Sequence, residues 1–164
     1  PSSAVTSPNP PVPHAPALLI GYGSSLRRDD AVGLEVVRRA AAWGLPGLET
    51  VEVTQLGPEL AEDLARADRV VFADACLDLV EGPRLLPLAP DAGDPARSLM
   101  NHSVSPASLV ALAARLYGRA PAAWLLAIPA PDLETGEGLS AAGEAHVRAA
   151  LAALRAHLGG AAPG

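Results

Sequence analysis

Lysine is absent from this chain, cysteine occurs once, and aromatic side chains make up only 3% of its residues. Each shortage removes a possibility. With Cys76 alone no internal disulfide can form, so the fold must stand on packing, which suits a reducing, cytoplasmic compartment. With 49% of residues hydrophobic and so few rings, the core has to be built from Ala, Leu and Val. The twelve basic residues, all Arg, are outnumbered by 18 acids, and the formal charge is −6. That balance argues against a phosphate-backbone partner, so no nucleic acid is expected. Long apolar runs are missing too: nothing approaches the roughly 20 residues of a membrane span, and no membrane association is expected. Residues 1–16 have neither the basic start nor the apolar core of a signal peptide. They carry six prolines and read as a disordered leader.

What is present is enough for one domain. A chain of 164 residues can bury about two-thirds of its unfolded surface. The domain is expected over residues 17–158, with 159–164 as a flexible tail. Its organising stretch is 17–37, ALLIGYGSSLRRDDAVGLEVV. Leu18, Leu19 and Ile20 form a continuous apolar run suited to a strand covered on both faces, and Gly21 and Gly23 turn the chain at its end. Asp29 or Asp30 can cap the helix that follows, where Val32, Val36, Val37, Ala40 and Trp43 recur at roughly helical spacing. A dinucleotide-binding loop would place a third glycine at position 26, which is Leu26, so that function is set aside.

The remaining elements alternate. LETVEVT (48–54) reads as a second strand, and Gly57 and Pro58 open a short helix with Leu60 and Leu64 facing inward. RVVFADA (69–75) is a third, buried strand ending on Asp74. Pro83 and Pro87 confine any strand in GPRLLPLAP to a sheet edge. Ser105 and Pro106 start a helix with Leu109, Leu112 and Leu116 on one side, and AAWLLAI (122–128) is a further strand. After a loop at Gly136 to Gly138, Ser140 caps a final helix through Val147, Leu151, Leu154 and Leu158. The fold class is α/β: three layers, with a twisted, mostly parallel five-stranded sheet between helices and right-handed crossovers. Ligands in such folds bind beyond the carboxyl ends of the strands.

Asp30 follows the first strand and Asp74 ends the third, so both emerge at that edge, where neighbouring strands lie about 4.8 Å apart. His102, ahead of the helix at Ser105, can complete a carboxylate, carboxylate, imidazole set suited to a divalent first-row metal. Blander roles exist for each: a helix cap, a loop-anchoring hydrogen bond, a loop histidine. Cys76 is either a soft ligand or a small buried hydrophobe. His146 and His157 read as solvated positions. Arg27 and Arg28 are either a solvated pair or contacts to acidic groups of a partner.

Together the blocks LLIGYGSSLRRDDAVG, VVFADA, NHSVSP with its leucine-rich helix ending LYG, and ETGEGLS resemble the hydrogenase maturation endopeptidases, in that family's order, over about Ala17 to Leu158. The resemblance implies the same five-stranded fold. It also implies an activity: removal of the C-terminal extension from a nickel–iron hydrogenase large-subunit precursor after nickel insertion. The partner would be that precursor, the enzyme a monomer, and the nickel supplied by the substrate rather than held as a resident cofactor. By the same resemblance Asp30, Asp74 and His102 contact the metal and carry an aspartyl-type, metal-assisted hydrolysis. Three positions depart from the family pattern: Ser24 for asparagine, Ala31 for glycine, and Ala107 where some members have the histidine. The alternatives are a non-catalytic assembly factor that keeps the fold, or another hydrolase or phosphorylase of similar layering.

Overall fold

The computed structural model describes residues 16–26, 28–90, 104–133 and 136–159. Arg27, His102, most of the leader and the last five residues lie outside the described residues. Among the described residues five strands form one sheet: β1 (Ala17–Tyr22), β2 (Leu48–Val53), β3 (Arg69–Cys76), β4 (Arg84–Leu88) and β5 (Ala122–Pro129). The order is β2-β1-β3-β5-β4, and only β4 runs antiparallel to its neighbour. β4 carries Pro87 and sits at the edge, where a residue without an N–H costs no ladder bond.

Helices cover both faces, as a mostly parallel sheet requires. They are α1 (Val32–Ala41), α2 (Leu60–Ala65), α3 (Pro106–Tyr117) and α4 (Ala141–Gly159). Alternation along the central strands sorts the core into two halves. Leu18, Ile20, Val70 and Phe72 pack under α2 and α3 with Leu60, Leu64 and Leu109. Leu19, Val71, Ala73 and Ile128 pack under α1 and α4 with Val36, Val37, Val147 and Leu154. At about 25 cal/mol per Å² of apolar surface, these two layers are the main stabilising term.

Several expectations are met, and others change. Ser105 caps α3 through a reciprocal capping box with Ser108, and Gly118 closes it in the left-handed conformation at φ 70°. Within α3, however, the buried residues are Leu109, Val110 and Ala113, while Leu116 is 61% exposed. The helix packed against it, α2, spans six residues to its twelve, and the buried residues of α3 all lie in its first eight. His157 is not a solvated position: its ring meets Trp124 edge to face at 4.5 Å. Its Nε2 is buried without a partner among the described residues. Burial, with Arg69 nearby, lowers its proton affinity. Pro16, expected in the leader, accepts the Arg69 N–H at 3.0 Å. Among the described residues no helix is long and apolar enough to cross a membrane.

Candidate active site

The chain leaves β1 in one direction to reach β2 and crosses back to reach β3. The carboxyl ends of β1 and β3 therefore flank the switch point of the sheet, the usual ligand crevice of such folds. Register places Gly21 beside Ala73, so the residues that follow each strand diverge around one opening.

Asp30 reaches that opening on a short 3-10 turn, Arg28–Ala31, between β1 and α1. Two close backbone approaches set the turn. Gly23, at φ 144°, lies against the carbonyl of Asp30, where a side chain would collide. Gly33, in the first turn of α1, is pressed against the carbonyl of Ala73, so α1 begins directly above the ends of β1 and β3. Neither acid caps α1; its N-cap is Ala31, without a side-chain bond. Asp30 is half-buried, and its Oδ2 accepts the Ser24 N–H at 2.9 Å.

Asp29 points the opposite way and is fully buried. Its Oδ2 accepts the Asp132 N–H at 2.9 Å and the Ser140 hydroxyl at 2.6 Å, and its Oδ1 accepts the Ser140 N–H at 2.8 Å. Ser140 in turn takes the Gly143 N–H at 2.9 Å on its Oγ, at the start of α4. A carboxylate with three donors beside a helix N-terminus is well compensated for leaving water. Arg28 strengthens the same seam through Asp132 at 2.8 Å. Its guanidinium is thus paired within the chain, on a side chain 34% exposed.

Asp74 emerges from β3 half-buried. Its proton affinity is raised chiefly by burial and further by the charge of Asp30; a Tyr22 hydroxyl bond and the Ala75 N–H oppose the rise. The structure thus brings Asp30 and Asp74 within electrostatic reach, as the strand order requires. Tyr22, the last residue of β1, stays protonated and donates to Asp74, its own affinity raised by burial and by that carboxylate. Sequence reading missed Tyr22, although its place between Gly21 and Gly23 at a strand end was a usable signal. Cys76 is free and half-buried at the end of β3. Among the described residues no group of three His, Cys, Asp or Glu side chains gathers as a metal centre. Ala107, in the first turn of α3, offers no imidazole.

Solved structures share this architecture. The hydrogenase maturating endopeptidase HybD from Escherichia coli superposes with a TM-score of 0.65 at 27% identity, over 87% of this chain and 91% of that one. The [NiFe] hydrogenase maturation protease HycI from Thermococcus kodakarensis KOD1 shares the fold with a TM-score of 0.66 at 19% identity, over 88% and 92%. The fold is the three-layer α/β fold of these maturation peptidases. In sequence, the hydrogenase 2 maturation protease of Escherichia coli strain K12 is 30% identical over 148 residues, 86% of this chain and 89% of that protein. The chain belongs to the hydrogenase maturation protease family. No protein-family model matches it.

Proposed function

We propose that the enzyme removes the C-terminal extension of a nickel–iron hydrogenase large-subunit precursor once nickel has been inserted. It acts in the cytoplasm as a monomer, with neither nucleic acid nor membrane as partner. The observation that supports this most is the convergence of Asp30, on the turn that follows β1, and Asp74, at the end of β3, at the switch point of the sheet. The nickel is part of the substrate, held by the precursor's thiolates. Asp30 and Asp74, with His102 as the third group, approach it from the protease side.

The chemistry asked of the protein is then modest. Nickel so held polarises the scissile carbonyl or lowers the pKa of an attacking water, and no serine or cysteine nucleophile is needed. Asp74 must be ionised to contact the metal, and the Tyr22 hydroxyl favours that state by donating to it. Metal that arrives with the substrate also enforces order, because an unloaded precursor gives the carboxylates nothing to grip. Incubating purified protein with nickel-loaded and metal-free precursor tests the reading. Only the loaded form should shorten; equal cleavage of both would contradict it.

A further inference from the structure

A cleft of about 360 Å³ adjoins the carboxylate pair on the β2 side. Gly23 to Leu26 form one wall, Glu52 to Thr54 at the end of β2 the other, and Leu34 and Arg38 of α1 the floor. Wall and site share backbone: the Ser24 N–H beside the cleft is the one that Asp30 accepts. The far wall is level with the site as well. Val53 pairs with Tyr22, whose hydroxyl reaches Asp74, so β1 alone stands between this wall and β3, and two strand spacings of about 4.8 Å separate the wall from Asp74.

The chemistry of the walls narrows the ligand. Arg38 is already neutralised by Glu52 at 2.9 Å and Glu35 at 3.8 Å, so the cleft presents no bare charge to attract a phosphate or a carboxylate. What remains are the hydroxyls of Ser24, Ser25 and Thr54, peptide groups, and apolar surface from Leu34 and Val53. Leu26, 66% exposed, stands at the rim as a lip. β2 is an outer strand of the sheet, and outer strands accept extended peptides through main-chain hydrogen bonds. The volume lies at the small end of the roughly 300–1,000 Å³ of ligand pockets, room for a few peptide units.

We propose that this cleft binds the substrate segment just beyond the scissile bond, the extension that is cut away, as an uncharged extended strand beside β2 with Leu26 over it. The inference rests on the precursor reading above. It gives the substrate a direction: the metal-bearing body stands over Asp30 and Asp74, and the discarded peptide lies toward Thr54.

Two measurements test it. The first titrates the full chain with a synthetic peptide of the extension alone, without nickel, and follows backbone amides by NMR. Shifts should centre on Ser24, Ser25, Leu26 and Thr54. The second compares Thr54→Trp, which fills the cleft from an exposed position, with Ala149→Trp on the exposed side of α4, outside the cleft. The tryptophan should raise KM about tenfold on a precursor with its whole extension while kcat stays within about twofold. It should have no effect when the extension is cut back to one residue, and Ala149→Trp should match the unmodified protein on both substrates. Peptide shifts without any cleavage would overturn the catalytic reading and uphold the cleft. Cleavage with an unchanged KM in Thr54→Trp, or shifts elsewhere, would overturn the cleft and leave the cleavage reading standing.

Discussion

Two adjacent aspartates, chemically identical, do opposite work because the 3-10 turn sends them to opposite sides. Asp30 faces the opening, whereas Asp29 is consumed by three hydrogen bonds at the start of α4. Asp29→Asn would set an amide N–H₂ against donors and should cost about 2–3 kcal/mol. Thermal unfolding should register this as a Tm lower by roughly 5–10 °C. Tyr22→Phe makes a different prediction. Losing the hydroxyl removes a group that favours ionised Asp74, so Asp74 holds its proton to higher pH. The acid limb of the cleavage pH profile should move upward, with little change at its plateau. That Asp30 and Asp74 could meet was legible from the sequence, because each follows an apolar run in an alternating pattern. How Asp29 and Asp30 divide the work was not. It depends on Ser140 and on Gly143, where any side chain would strike the Asp29 carboxylate, more than 100 residues away.

Among the elements, α1 and α4 are coupled by more than apolar packing. Arg39 grips Glu144 with both terminal nitrogens, at 2.6 and 2.7 Å. The Arg39 guanidinium holds the Glu144 carboxyl below its ordinary value of 4.5, at about 2. A depressed folded value means stability that is present above the ordinary carboxylate range and is lost as pH falls through the folded value. Both side chains are about a third exposed, so water screens the pair and its worth is at most on the order of 1 kcal/mol. Glu144→Gln should therefore lower Tm by roughly 2–4 °C at neutral pH. The gap should close between pH 4.5 and about 2, as Glu144 protonates in the unmodified protein. Periodicity found these helices because each buries a stripe set by its own spacing. It misjudged the last turn of α3, where Leu116 is 61% exposed, because what covers a helix end is set by neighbours in space and not by the helix's own spacing.

For the whole molecule, the site is a property of chain order. Nothing in VVFADA alone makes Asp74 more than a strand terminus. It becomes a candidate ligand because the chain turns outward to β2 before returning to β3, leaving Asp30 and Asp74 on either side of the reversal. The layered fold was readable from alternating elements and turn residues. The cleft beside β2 was not, because it joins residues 23–26, 34–38 and 52–54, which only the folded sheet brings together. The most direct measurement of the central claim compares Asp30→Asn, Asp74→Asn and Asp29→Asn with the unmodified protein. Each is assayed for cleavage of nickel-loaded precursor and for thermal unfolding. The account predicts at least a hundredfold loss of cleavage, on the order of an essential catalytic group, for Asp30→Asn and Asp74→Asn with the fold retained. For Asp29→Asn it predicts a lowered Tm as the primary defect. Full cleavage by either Asp30→Asn or Asp74→Asn would contradict it.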